Sequence, residues 1–118
     1  MPTTRSEGAG TLPALSEWRA AFQGQILPAL KAFDPELLFI SAGFDGLATD
    51  PLGFKLGLSI DDYAWATRLL VQHANDQSVW PSCSGRVVSV LEGGYDIDPA
   101  TAGLRQAVEA HLFELMRA

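Results

Sequence analysis

Two short apolar runs, joined through a single amphipathic segment, constrain the fold of this chain more than any other feature. The first run is Leu-Leu-Phe-Ile at residues 37–40, and the second, Arg-Val-Val-Ser-Val-Leu at residues 86–91, is rich in β-branched side chains. A short continuous apolar run between turn signals is typical of a strand buried on both faces. A helical crossover makes two such strands parallel. The sequence therefore predicts a βαβ unit.

The segment before the first strand has the apolar spacing of a helix. This helix is expected to run from Ser16, as N-cap, to about Phe33. Pro28 lies inside the pattern and predicts a kink or an early helix end near Leu27. Residues 1–15 are rich in Gly, Pro, Ser and Thr, which indicates a loop or a disordered arm.

Two further helices flank the second strand. The crossover helix begins at Ser59, whose spacing to Asp62 is that of a capping box. The last helix is expected to open with Asp98 as N-cap and Pro99 as its first helical residue. The expected inner face of this last helix comprises Leu104, Val108, Leu112 and Leu115.

Two strands are too few for an independent parallel sheet. Such sheets usually have several strands and helices on both faces, and two apolar strands alone leave two unpaired edges. The predicted fold class is therefore α/β, with a partial parallel sheet formed by a βαβ unit and flanking helices. Residues 16–118 would be one portion of a larger domain.

Composition and charge exclude several functional classes. The chain has 118 residues, 47% of them hydrophobic, which suits a globular fold. Eight basic and fourteen acidic residues give a net charge of −6, which disfavours nucleic acid or an anionic membrane as partner. No segment has the apolar character of a membrane span or a signal peptide, so we expect a cytoplasmic location. The single cysteine, Cys83, excludes an internal disulfide.

The candidate site residues follow the carboxyl ends of the two strands, where open parallel sheets bind ligands. Asp45 comes after the first strand and is a metal ligand or general base, or else part of a tight Asx turn. After the second strand, Gly93 and Gly94 allow close approach of a substrate to the main chain. Tyr95 offers a phenol that can donate to a developing oxyanion, or else packs as an amphipathic wall.

Other reactive side chains favour structural roles. His73 and His111 have no second His or Cys at metal-ligand spacing, which favours packing or surface roles. Asp50 precedes a proline and is interpreted as part of a turn, and Cys83 lies in a polar loop over residues 75–85 without a nearby base. Core or edge positions are expected for Trp18, Trp65 and Trp80.

Long motifs in this chain resemble the C-terminal part of the histone deacetylase superfamily. These are Phe-Asp-Pro-Glu-Leu-Leu-Phe-Ile-Ser-Ala-Gly-Phe-Asp at residues 33–45, Thr-Asp-Pro-Leu-Gly at 49–53, Asp-Asp-Tyr at 61–63, and Gly-Arg-Val-Val-Ser-Val-Leu-Glu-Gly-Gly-Tyr-Asp at 85–96. The similarity is to the class II branch, which includes bacterial histone deacetylase-like amidohydrolases and acetylpolyamine amidohydrolases. It extends from about Ser16 to the end of the chain.

The resemblance implies a specific fold and chemistry. The family has the arginase/deacetylase fold, in which loops at the edge of a parallel sheet hold one catalytic zinc. By this resemblance Asp45 is a zinc ligand, Tyr95 stabilises the oxyanion, and Gly93 and Gly94 line the substrate channel. The implied reaction is hydrolysis of an acetyl-lysine or acetylpolyamine amide to acetate and free amine.

The chain departs from the family at two motifs. The family takes its other two zinc ligands from an Asp-x-His motif and its general base from a tandem His pair, and this sequence has neither. A catalytic zinc normally has three protein ligands, of which Asp45 is one. We therefore expect the chain alone to be inactive, and a complementary N-terminal chain or a homo-oligomer to be its partner.

The sequence allows two alternatives to the deacetylase function to be considered. The chain could be a non-catalytic remnant or interaction module that binds a partner through its exposed sheet edge. A Rossmann-type nucleotide-binding role is disfavoured because no Gly-x-Gly-x-x-Gly follows either strand.

Overall fold

The computed structural model describes residues 15–53 and 56–117. Four helices, α1 to α4, and two strands, β1 and β2, make up this part of the chain, with a π-helical turn between the first two helices. In chain order the elements are α1 (Leu15–Ala21), the π-helical turn (Phe22–Ile26), α2 (Leu27–Phe33), β1 (Leu38–Ala42), α3 (Ile60–Ala74), β2 (Val87–Leu91) and α4 (Gly103–Met116).

Strands β1 and β2 form a two-stranded parallel sheet. Their register runs from the Leu38–Val87 pair to the Ala42–Leu91 pair. Helix α3 is the crossover between them, so the predicted βαβ unit and parallel pairing are confirmed.

One face of the sheet is covered by helices and the other is bare. Leu38 and Ala42 are buried against helix side chains, whereas Phe39, between them in the strand, is 63% exposed. Val88 and Val90 are also exposed on β2. The prediction that the first strand is buried on both faces is therefore wrong for the described part of the chain, because its helices pack on one face. We call Phe39, Val88 and Val90 the open sheet face.

Two clusters of buried side chains form the core on the covered face. One consists of Leu27, Leu38, Ala74, Trp80 and Cys83, and the other of Ala42, Phe44, Leu47 and Ala107. Trp80 and Cys83 are fully buried although they lie in a segment predicted to be a polar loop. The loop therefore contributes to the core, as its tryptophan suggested, and Cys83 packs there.

The first helical segment passes Pro28 without ending. The N–H of Leu27 donates to the carbonyl oxygen of Phe22, five residues earlier, which defines the π-helical turn. Pro28, which has no N–H, then lies in the first turn of α2, where that donor would be unpaired in any case. Of the two alternatives predicted near Leu27, a kink or an early helix end, the early end is wrong because α2 continues to Phe33. Helix α1 begins at Leu15, so Ser16 is a helical residue rather than the N-cap.

The start of α3 agrees with the sequence. The hydroxyl of Ser59 accepts a hydrogen bond from the N–H of Asp62 at 3.1 Å, and the Asp62 carboxylate accepts from the N–H of Ser59 at 2.9 Å. Arg19 of α1 adds an ion pair to Asp62 at 2.8 Å. The predicted capping box is confirmed, and it also joins α3 to the first helix.

Helix α4 starts later than predicted. Asp98 caps a short turn through the N–H of Ala100 instead of an α-helix, and Ala102 adopts a left-handed conformation with φ of 48°. The helix begins at Gly103, whose N–H donates to the carboxylate of Asp96 at 3.0 Å. Its buried face is formed by Gly103, Ala107, His111 and Glu114. Leu112, expected on the inner face, is 49% exposed.

His111 is a buried residue that links three elements. Its Nδ1 lies 2.9 Å from the hydroxyl of Thr67 in α3, and its Nε2 lies 2.7 Å from the hydroxyl of Ser89 in β2. Because Thr67 already donates to the carbonyl of Tyr63, the network assigns the proton to Nδ1 and makes Nε2 the acceptor. The packing role expected for this histidine is confirmed, and burial lowers its pKa.

This burial predicts a pH-dependent stability. A lowered pKa in the folded state means that the unfolded chain binds a proton more readily, so the free energy of unfolding should fall as pH drops below about 6.5. The slope contributed by His111 cannot exceed about 1.4 kcal/mol per pH unit. Urea denaturation from about pH 5 to 7 should show this slope in the wild-type chain and a flatter one in His111→Gln. An unchanged slope in the variant would assign the effect to another group.

None of the helices in residues 15–53 and 56–117 combines the length and apolar character needed to cross a bilayer.

Candidate active site

The loops that follow the two strands meet at the carboxyl edge of the sheet. The N–H of Phe44 donates to the carbonyl of Gly93 at 2.8 Å, and the N–H of Glu92 donates to the carbonyl of Ala42 at 3.1 Å. Main-chain pairing therefore continues beyond the strands and brings the two motifs together, as expected for a parallel pair. They surround an open depression of about 290 Å³, lined by Ser41, Gly43, Asp45, Glu92, Gly93 and Tyr95.

The carboxylate of Asp45 lies between two glycines. A Cβ at Gly43 would lie 3.2 Å from Oδ1 of Asp45, and one at Gly93 would lie 3.2 Å from Oδ2. In the described ranges the Asp45 carboxylate accepts no hydrogen bond, so the side chain does not form an Asx turn there. The glycines therefore leave a carboxylate that lines the depression and is available to a ligand.

Tyr63 of α3 supports the backbone beside Asp45. Its hydroxyl accepts a hydrogen bond from the N–H of Gly46 at 3.1 Å, and its ring packs on Phe44 with centroids 4.9 Å apart. Burial is the main cause that raises the pKa of Tyr63 to about 12, so the phenol remains protonated at neutral pH. The helical pattern of the sequence placed Tyr63 on α3 but gave no sign of this contact.

Tyr95 also lines the depression, and its side chain is accessible. The residue is 45% exposed, and no described side chain forms a hydrogen bond with its hydroxyl. The preceding Gly94 has φ of 133°, a backbone conformation that favours glycine, and a Cβ there would also force a shift of Leu104, whose Cδ1 would lie 2.6 Å away. Gly94 therefore has the positive φ, whereas Gly93 allows the close approach of Asp45 to the main chain.

Sequence reasoning missed the two buried carboxylates behind Tyr95. Asp50 accepts hydrogen bonds from the N–H groups of Leu52, Gly53 and Tyr95 at 2.7–2.8 Å. Asp96 is equally buried. Hydrogen bonds from the hydroxyls of Thr101 and Thr49 and from main-chain N–H groups hold the pKa of Asp96 below its usual range. The Asp-Pro signal at Asp50 correctly predicted a turn, but the bond to Tyr95 joins residues 45 positions apart and leaves no local pattern.

Metal-ligating groups are few at this edge. No cluster of three or more His, Cys, Asp or Glu side chains suited to a metal occurs in residues 15–53 and 56–117. His111 is occupied by Thr67 and Ser89, and Nδ1 of His73 lies 2.7 Å from the carbonyl of Leu69. Asp45 therefore fits as one metal ligand of an incomplete set.

Comparison with known proteins assigns the family. A family model for the histone deacetylase domain matches residues 13–111. The chain belongs to the histone deacetylase family. The motifs at residues 33–45 and 85–96 that resembled this family lie inside the matched region, so the expected membership is confirmed.

The matches to curated relatives cover most of this chain but only a small part of each relative. Type-2 histone deacetylase 2 of Dictyostelium discoideum is 38% identical over 107 residues, which are 91% of this chain and 6% of the relative. Polyamine deacetylase HDAC10 of Danio rerio is 36% identical over 97 residues, which are 82% of this chain and 13% of the relative. Both a histone and a polyamine deacetylase are therefore among the relatives, and each is far longer than the matched segment.

Solved structures confirm the fold class. The HDA15 HD domain aligns with a TM-score of 0.69 and 29% identity, covering 88% of this chain and 26% of that one. The histone deacetylase Clr3 aligns with a TM-score of 0.66 and 31% identity, covering 83% of this chain and 14% of that one. The chain thus has the fold of one portion of an arginase/deacetylase domain. Family membership supports a deacetylase-like function and suggests a metal cofactor in general.

Proposed function

We propose that this chain supplies the C-terminal part of a zinc-dependent deacetylase site that hydrolyses acetyl-lysine-like amides to acetate and free amine. The observation that carries the proposal is the position of Asp45 and Tyr95. In a chain of the histone deacetylase family, a carboxylate without a hydrogen-bond partner in the described ranges and an accessible phenol line the same depression. These two groups have the chemistry needed to bind a metal and to stabilise an oxyanion.

The positions of Asp45 and Tyr95 support a different proposed role for each. Asp45 would hold the metal through the carboxylate that Gly43 and Gly93 leave uncovered. Zinc, when bound, supplies a Lewis acid and lowers the pKa of water. Tyr95 would donate a hydrogen bond to the amide carbonyl oxygen as negative charge develops there, an interaction that strengthens towards the transition state.

The chain alone is proposed to be inactive. A catalytic zinc usually has three protein ligands, and Asp45 is one. The remaining ligands and the general base would come from a complementary polypeptide. That polypeptide would carry the remaining strands and helices of the deacetylase domain, since this chain covers 26% of the HDA15 HD domain.

The exposed apolar side chains of the open sheet face also support binding of the complementary polypeptide. Phe39, Val88 and Val90 expose apolar surface on a parallel sheet, which is normally covered by helices on both sides. An apolar helix of the complementary polypeptide would bury these side chains. The same face also supports a second candidate function, in which the chain is a non-catalytic module that binds a partner without completing a site.

A chimeric domain tests the catalytic proposal. Residues 15–117 of this chain would replace the matching segment of the HDA15 HD domain, and turnover would be measured with zinc, using both a fluorogenic acetyl-lysine peptide and an acetylpolyamine. The chimera should be active and the isolated chain inactive. Tyr95→Phe should reduce kcat by roughly 10²-fold or more, as expected for loss of an oxyanion donor. Asp45→Ala should reduce turnover to background because a metal ligand is lost.

Two controls make the result interpretable. Ser78→Ala, at an exposed turn, should leave the activity of the chimera unchanged. A folded, zinc-loaded chimera without turnover would contradict the deacetylase role and favour the interaction module. Zinc-dependent turnover by the isolated chain, abolished by Asp45→Ala and Tyr95→Phe, would contradict the proposed inactivity.

The same proteins test the partner. The chain should bind the HDA15 HD domain truncated of its matching segment, and Phe39→Lys together with Val88→Lys should abolish the complex. Light scattering on the isolated chain identifies the alternative, in which a second copy covers the open sheet face.

A further inference from the structure

Two pairs of adjacent residues cross-link the loops on either side of Tyr95. Asp50 accepts a hydrogen bond from the N–H of Tyr95 at 2.7 Å. Asp96, the next residue in the chain, accepts a hydrogen bond at 2.5 Å from the hydroxyl of Thr49, the residue before Asp50. Each loop thus supplies one carboxylate and one donor to the other. We call Thr49, Asp50, Tyr95 and Asp96 the reciprocal clasp.

Both carboxylates of the clasp are anchored by further bonds. The other oxygen of Asp50 accepts from the N–H groups of Leu52 and Gly53, which fixes its side chain in its own loop. The Asp96 carboxylate also accepts from Thr101 and from the N–H of Gly103 at the start of α4. Hydrogen bonds to charged groups are stronger than neutral ones, so the clasp ties the Tyr95 backbone to the loop that carries Asp50 and to the start of α4.

We propose that Asp50 and Asp96 are positioning residues that hold Tyr95 in the orientation required for oxyanion stabilisation. The catalytic part of this statement rests on the function proposed above for Tyr95. The clasp consists entirely of residues of this chain, so Tyr95 is positioned before any complementary polypeptide binds. If the clasp had a merely structural role, its removal would instead loosen both loops and their surroundings together, with no change selective for Tyr95.

Selective labelling makes the clasp directly observable in the full chain. The sequence has two tyrosines, so a chain labelled with ¹⁵N-tyrosine gives two backbone amide signals, from Tyr63 and Tyr95. The Tyr95 amide, bonded to a carboxylate, should be shifted downfield and protected from exchange. Asp50→Asn removes the negative charge and leaves one oxygen acceptor for three N–H donors, so exchange of the Tyr95 amide should accelerate by roughly tenfold to a hundredfold. The Tyr63 amide, in helix α3, should not change.

A matched pair at Thr49 tests the second half of the clasp. Thr49 is exposed, so Thr49→Val removes the hydroxyl with little change in shape or core packing. The ¹⁹F spectrum of a 3-fluorotyrosine-labelled chain should then show a broadened or split Tyr95 signal. Thr49→Ser should restore a single sharp signal because its hydroxyl can again donate to Asp96. Ser78→Ala, remote from the clasp, should resemble the wild type.

Two outcomes would overturn the proposal. One is an unchanged Tyr95 amide and ring signal in Asp50→Asn and Thr49→Val chains that remain folded by circular dichroism. The other is an equal change at Tyr63 and Tyr95, which would indicate general loosening. If Asp50→Asn fails to fold, the comparison of Thr49→Val with Thr49→Ser is sufficient to test the proposal. Because no readout depends on turnover, failure of the clasp is distinct from failure of the proposed deacetylase function.

Discussion

Replacement of Trp80 by alanine should lower the free energy of unfolding by about 3–5 kcal/mol, the usual cost of truncating a fully buried aromatic side chain. Trp80 is 0% exposed and belongs to the core cluster with Leu27, Leu38 and Ala74. Its loss would leave a cavity between the segment over residues 75–86 and the sheet. Urea denaturation followed by far-UV circular dichroism measures the change without depending on tryptophan fluorescence.

Two further variants serve as controls for Trp80→Ala. Phe33→Ala removes an aromatic side chain that is 78% exposed, and it should change stability by less than about 0.5 kcal/mol. Trp80→Phe keeps most of the ring and removes an indole N–H that is buried without a hydrogen-bond partner in the described structure, so its cost should be much smaller. Similar midpoints for Trp80→Ala and Phe33→Ala would contradict the burial of Trp80. If Trp80→Ala does not fold, Trp80→Phe still tests the site.

Gly103→Ala should strongly destabilise the chain. An alanine Cβ would overlap both the carboxylate of Asp96 and the hydroxyl of Thr49. The forced shift should cost about 1–3 kcal/mol, as overpacking does in cores. Separation of Asp96 from its donors would cost about 1–3 kcal/mol more, because a buried acceptor would lose its hydrogen bonds. Thermal and urea unfolding measure the sum.

Gly24→Ala is the matched control for Gly103→Ala. Beyond its own helix backbone and chain neighbours, nothing in the described structure lies within 4 Å of a Cβ built at Gly24, so the same chemical change meets open space there. The expected result is a neutral or slightly stabilising effect, since alanine restricts the unfolded chain more than glycine. Equal destabilisation by the two substitutions would show that overlap with Asp96 and Thr49 is not the cause of the stability loss in Gly103→Ala.

The parts of the fold that sequence predicted well are those set by neighbouring residues. The capping box at Ser59 and Asp62 needs residues three apart, and the β-branched run at residues 87–90 needs no distant partner. Parallel pairing follows from the helical crossover. The meeting of the loops that carry Asp45 and Tyr95 then follows from strand direction, so the location of the candidate site was predictable.

The errors arose where packing outside the local pattern, or the absence of a covering element in the described chain, overrode a local signal. Asp98 and Pro99 have the local pattern of a helix start, but the N–H of Gly103 bonds to Asp96, and α4 begins there. The apolar run at residues 37–40 suggested burial on both faces, but every helix of the described chain packs on one face. Phe39 is therefore exposed. Sequence periodicity reports what a strand can bury and does not report which elements are present to cover it.

By itself, the sequence determined the α/β class, the two parallel strands, the order of the motifs and the resemblance to histone deacetylases, because each of these depends on short-range patterns. Only the tertiary structure decided that Asp45 lies between Gly43 and Gly93 and that Asp50 and Asp96 clasp Tyr95. The physical reason is that hydrogen bonds between residues more than 40 positions apart depend on how the two loops pack, and neither loop encodes its partner locally.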